Sequence, residues 1–148
     1  MRAVVQRTSG ASVEVEGNIV GEIGRGLVVF LGIEEGDTTT DLQYICDKVT
    51  GLRVFDDENE IPNLSVCDIG GSVLLISQFT LCADARKGKR PSYIKAARPE
   101  QAIPLYEEAI SRIRQSVPVA TGVFQANMQV KLVNDGPHTI LLDSKKLF

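Results

Sequence analysis

The stretch “GLVVFLGIEEGDTTTDLQYICDKVTGL” (residues 26–52) changes period half-way, and that change sets the fold class. Residues 26–33 are a continuous apolar run of strand length, the pattern of a strand covered on both faces. From residue 42 the apolar positions are Leu42, Ile45, Val49 and Leu52, at three- and four-residue spacing. That is one stripe of an amphipathic helix. Asp37 or the threonines after it offer capping oxygens, and Gly51 suits the far end.

Outward from this pair the chain is mostly extended. “AVVQRT” (3–8) alternates, and “ASVEVEGNIVGEI” (11–23) reads as two strands about a Glu16-Gly17-Asn18 turn. “LRVF” (52–55), “LSVCDI” (64–69) and “SVLLISQFTL” (72–81) read as strands, and “ADARKGKRPSYIKAARP” (83–99) as a loop without period. Pro99 then opens a second helix at its favoured first position, with Ala102, Leu105, Tyr106, Ala109, Ile110 and Ile113 as its apolar stripe. “VATGVF” (119–124), “NMQVKLV” (127–133) and “HTILLD” (138–143) are again extended. Strands and helices do not alternate strictly. The expected class is α+β, with mostly antiparallel sheets forming a barrel-like or sandwich core and two main helices packed outside. “GEIGRG” (21–26) lies between strands and opens no helix, so the dinucleotide fingerprint fails.

The totals are those of one globular domain over residues 1–148. Hydrophobic residues make up 43% and charged residues 24%, and a chain of this length buries roughly 70% of its unfolded surface. No apolar run approaches the ~20 residues of a membrane span, and the N-terminus lacks a signal-peptide h-region. A cytoplasmic protein with no membrane partner is expected. A net charge of −3 argues against bulk, nonspecific nucleic-acid binding and leaves room for a local basic patch. Cys46, Cys67 and Cys82 are odd in number and lack CxxC spacing, which disfavours disulfides and zinc. Cys46 and Cys67 read as buried inert thiols, while Cys82 follows a candidate site.

That site is “SQFTL” (77–81), where Ser77, Gln78 and Thr80 bring polar groups to the end of an apolar strand around Phe79. Such groups are either satisfied structurally as the strand leaves the core or serve a ligand. A hydroxyl nucleophile needs an adjacent base, but His138 is the single imidazole and no nucleophile elbow is present. Arg86, Lys87, Lys89 and Arg90 place four cations in five residues of an otherwise acidic chain. This is either a solvated loop or a contact for phosphates. Finally, “VKLVNDGPHTILL” (130–142) joins turn residues Asn134, Asp135 and Gly136 to Pro137, which has no N–H for a ladder.

“SQFTL” followed by “NDGPHT” (134–139) resembles the D-aminoacyl-tRNA deacylase family. The likeness extends through “MRAVVQR”, “LRVF”, “KGKRPS” and “NMQVKLVNDGP”, in the family's order across essentially the whole chain. The resemblance implies an ester hydrolase that removes D-amino acids from tRNA, and glycine from mischarged tRNA, as chiral proofreading. It implies a cofactor-free, metal-free homodimer acting on the aminoacylated 3′ end of tRNA, with no DNA partner. Phe79 and Thr80 would be catalytic through their backbone N–H groups, with Ser77, Gln78, Gly136 and Pro137 contacting substrate. Gly136 and Pro137 would enter the other subunit's pocket, oriented by Arg7, and Arg86, Lys87, Lys89 and Arg90 would bind tRNA. The tRNA's terminal 2′-hydroxyl would assist hydrolysis. The Gly136–Pro137 peptide is expected to be cis. Valine commonly follows that pair in the family, whereas His138 stands here. The alternatives are a noncatalytic module that binds tRNA ends and an esterase with Thr80 as nucleophile.

Overall fold

A computed structural model describes residues 1–148. The chain runs β1 (Arg2–Val15), β2 (Asn18–Ile23), β3 (Gly26–Gly32), α1 (Thr39–Gly51), β4 (Phe55–Asp56), β5 (Pro62–Leu64) and β6 (Ser72–Ser77). A 3-10 turn (Phe79–Cys82), α2 (Pro99–Arg114), β7 (Val119–Thr121) and β8 (Gln129–Asp143) complete it.

β1 organises the main sheet. Arg2–Thr8 pairs antiparallel with β3 and Ala11–Val15 with β2, while β8 lies antiparallel along the opposite edge. β3, β6 and β7 then follow in parallel register. β2 returns against β7, bringing Gly21 next to the Thr121 carbonyl, so the mixed sheet nearly closes into a barrel. β4 and β5 form a small separate ribbon.

The period-two alternation of β3 and β6 explains why their sequences are apolar throughout. Leu27, Val29, Leu31, Val73 and Leu75 face one core with Leu42, Ile45, Val49, Ala102, Leu105 and Ile113 of the two helices. Val28, Leu74 and Ile76 face a second core inside the curled sheet, with Ala11, Val13 and Ile23. Both helices therefore cover one face of the sheet, as the sequence pattern required. Tyr106 completes this packing by donating from its buried hydroxyl to the Leu75 carbonyl at 2.8 Å, and burial pushes its pKa up to about 12.

Several local expectations change. “AVVQRT” and “ASVEV” are one strand, because Thr8 bonds across the Ser9-Gly10 irregularity: its Oγ1 donates to the Gly10 carbonyl and accepts from the Gly10 N–H. “LSVCDI” is largely a turn. The Asp68 carboxylate accepts from the Ser65 N–H and hydroxyl, and Ser65 Oγ accepts from the Asp68 N–H, a local network that outcompetes a ladder. Cys67 on this turn is exposed rather than buried. Thr38 caps α1 in a reciprocal box with Asp41. Asp37 instead accepts from the Met1 ammonium at 2.8 Å and from the Glu34 N–H at 2.7 Å.

Candidate active site

β6 carries its apolar side chains to Ile76 and then ends at Ser77, whose Cα partner is Leu31 on β3. The Gln78 N–H still donates to the Leu31 carbonyl at 2.8 Å, after which the chain tightens into the 3-10 turn. Gly32 makes this possible. A Cβ there would lie 2.9 Å from Leu81 Cβ and 3.0 Å from the Gln78 carbonyl, so any other residue would push the turn off the sheet. Arg2 holds the turn's far side, its Nη1 donating to the Leu81 carbonyl at 3.1 Å while Nε donates to Asp143. The N–H groups of Phe79 and Thr80 open the turn, and neither has an acceptor among the turn, loop and cap hydrogen bonds.

Ser77, Gln78 and Phe79 line a cavity of about 540 Å³. Leu31 and Ile76 from the sheet, Ile33 just past β3, Ala96, Ala97, Pro99 and Ala102 from the start of α2 and the loop before it, and Phe124–Met128 with Val130 complete its walls. None of the lining side chains is ionisable in the physiological range. Thr80 stands just outside, half-buried, with its hydroxyl oxygen accepting from Gln78 Nε2 at 2.5 Å. Cys82, the last residue of the turn, is buried, and burial pushes its thiol up to about 11. Cys46, on the buried face of α1, is raised similarly by burial. Iodoacetamide at neutral pH is expected to modify Cys67 alone in the folded protein. Peptide mass mapping checks this, and early labelling of Cys82 would contradict the burial.

Gly136 and Pro137 do not line this cavity in their own chain. Nor do they form a hairpin. β8 passes through them, and its register jumps from Asn134 opposite Thr8 to Thr139 opposite Gln6, so the segment bulges from a continuous strand. No peptide bond in the structure is cis, which overturns the expectation for Gly136–Pro137. The bulge absorbs the extra residues through Gly136 at φ 109°, and Pro137 needs no ladder partner there. Buried Arg7 braces it. Its Nε donates to the Asp135 carbonyl at 3.0 Å and its Nη1 to the Val54 carbonyl at 2.8 Å, with Asp56 and the Asp135 carboxylate close by. His138 is half-buried beside Gly136 and also lies outside the cavity.

The loop between β6 and α2 is pinned by paired backbone hydrogen bonds between Asp84 and Ser92, at 2.8 and 2.9 Å. Arg86, Lys87, Lys89 and Arg90 are all exposed on it. Arg86 is tied to Asp84 by Nε at 2.9 Å and Nη2 at 2.5 Å, which depresses the Asp84 pKa well below the ordinary carboxylate range. Lys87, Lys89 and Arg90 make no ion pair. Sequence reasoning missed Arg2, because its partners are brought together only by folding. It missed the Phe124–Met128 wall because that segment reads as extended.

The model of the D-Tyr-tRNA(Tyr) deacylase family matches residues 4–143. The chain is 60% identical to the D-aminoacyl-tRNA deacylase of Koribacter versatilis and 55% identical to that of Desulfitobacterium hafniense, each over the full length of both chains. The solved structure of a c-Myc DNA unwinding element binding protein superposes with a TM-score of 0.92 at 41% identity, covering 97% of this chain and 98% of that one.

Proposed function

The chain belongs to the D-Tyr-tRNA(Tyr) deacylase family, and from that premise we propose that it hydrolyses the ester of D-aminoacyl-tRNA in the cytoplasm as one homodimeric domain. The observation that carries the mechanism is the cavity itself, which offers hydrogen-bonding groups and no acid or base. An aminoacyl ester is already activated, so positioning and oxyanion stabilisation do most of what hydrolysis requires. The open N–H groups of Phe79 and Thr80 supply the oxyanion contacts. Water attacks the ester carbonyl carbon, and the neighbouring 2′-hydroxyl of the terminal ribose relays the proton that the protein has no side chain to take. Collapse of the tetrahedral intermediate returns a proton to the 3′-oxygen and frees the tRNA and the amino acid.

Selection against L-esters comes from the Gly136–Pro137 bulge of the second subunit, entering beside Phe79. Both residues are exposed in the single chain, and Arg7 holds their base. An L-side chain meets this backbone, a D-side chain avoids it, and glycine has nothing to clash. Glycyl-tRNA is therefore also a substrate. Incubation with D-, L- and glycyl-tRNA tests the reading: catalytic release of D-amino acid and glycine with L-ester spared is expected. Binding without release would favour the noncatalytic end-binding module, which the same uncharged cavity also suits.

The basic loop meets tRNA phosphates. Because Asp84 occupies Arg86, Lys87 and Lys89 are the sharper test. Changing both to Gln is expected to flatten the log–log salt dependence of tRNA binding by roughly 0.7–0.9 for each phosphate that is no longer neutralised, with turnover at saturation little altered. An unchanged slope would leave the loop as solvated surface.

A further inference from the structure

The aromatic content of this chain is low, yet two of its rings meet in the open at one place. Phe79 is 57% exposed and Tyr93 42%, with ring centroids 5.3 Å apart in an edge-to-face arrangement. Phe79 lines the cavity, whereas Tyr93 does not. Tyr93 instead directly follows the Asp84–Ser92 bridge that closes the basic loop. Tyr93 therefore stands between the basic loop, with its unpaired Lys87 and Lys89, and Phe79 at the cavity. An edge-to-face contact covers at most one face of one ring, so Phe79 leaves at least one face of the 42%-exposed Tyr93 ring free to stack.

We propose that Tyr93 is a stacking platform for the unpaired base of the nucleotide preceding the ester-bearing one. This rests on the tRNA-end reading above and deepens it. The cavity takes the terminal aminoacyl nucleoside, so the next base outward arrives where Tyr93 stands, and the phosphates beyond it reach the basic loop. Base–aromatic stacking is tolerant of base identity and suits a single-stranded end. The phenol hydroxyl has no hydrogen-bond partner within the chain, so its removal leaves the ring and its stacking face in place.

Two substrates separate this role from simple support of Phe79: a D-aminoacyl-adenosine, which has no preceding nucleotide, and a D-aminoacyl oligonucleotide carrying the terminal three nucleotides. Tyr93→Ala is expected to raise KM for the oligonucleotide about tenfold. It should leave its kcat, and both constants for the adenosine ester, within about twofold. Tyr93→Phe should behave as wild type. Equal losses on both substrates would mean that Tyr93 only props Phe79, and would overturn the proposal. So would a fall in oligomeric mass by sedimentation, which would make the aromatic pair a subunit contact. If the unaltered protein hydrolyses neither ester, the functional reading itself fails; wild-type turnover with an indifferent Tyr93→Ala fails the platform alone.

Discussion

A D-aminoacyl-tRNA whose terminal ribose lacks the 2′-hydroxyl is expected to be hydrolysed at least about 100-fold more slowly, while Thr80→Ala keeps activity within about tenfold of wild type. The first figure is the lower end of what one proton-transfer group contributes to catalysis. The cavity has no side chain to replace that hydroxyl, since its polar groups are a serine, glutamines and an asparagine. The second follows from where the Thr80 hydroxyl is. Its oxygen accepts from Gln78 at 2.5 Å and has no adjacent base, while the N–H that would meet the oxyanion belongs to the backbone and survives the substitution. If Thr80 were the nucleophile, alanine would abolish turnover and a trapped acyl ester would map to residue 80 in the unaltered enzyme. Single-turnover assays with the two substrates, alongside binding measurements, give both comparisons. Complete inactivity of correctly folded, substrate-binding Thr80→Ala would overturn the backbone mechanism.

β3 and both helices were legible because burial imposes periods that local residues display on their own. Leu27 and Val28 face different cores, which is why no alternation marks that strand. The failures have two causes, one local and one distant. Ser65 and Asp68 satisfy one another's backbone groups locally, and periodicity is blind to such bonds. The β8 bulge looked like a hairpin because Asn-Asp-Gly is turn chemistry, but only the pairing with β1 on both sides of it reveals one continuous strand.

The same division holds in the site. Ser77, Gln78 and Phe79 were legible because polar residues at the end of an apolar strand demand an explanation, and they do line the cavity. The Phe124–Met128 wall is distant in sequence, and nothing local distinguishes Phe124 or Met128 from ordinary core. Arg7 reaches carbonyl oxygens 47 and 128 residues away. Backbone acceptors carry no residue signature, so only family likeness marks Arg7 in the sequence.

The Arg7–Gly136 contact carries the second large effect. Gly136 stands at φ 109°, and a Cβ there would overlap the Arg7 guanidinium. Gly136→Ala thus combines backbone strain of about 1–3 kcal/mol with displacement of a buried arginine. Moving Arg7 leaves the Val54 and Asp135 carbonyls without their donor, at about 1–3 kcal/mol for a buried acceptor. For a chain of this size the sum corresponds to a fall in Tm on the order of 5–15 °C. Arg7→Ala should be similarly costly, but the double variant should fall well short of the two losses added, because both disrupt one contact. Additive losses would mean that the two residues act separately. Pro137→Ala provides the functional arm. Pro137 is exposed, so its removal should barely move Tm. If the bulge is the cross-subunit wall, this variant should hydrolyse L-aminoacyl-tRNA at least about tenfold faster than wild type, because a stiff backbone that excludes the L-side chain has been loosened. Undiminished rejection of L-esters by a stable, dimeric Pro137→Ala would place the stereochemical filter elsewhere.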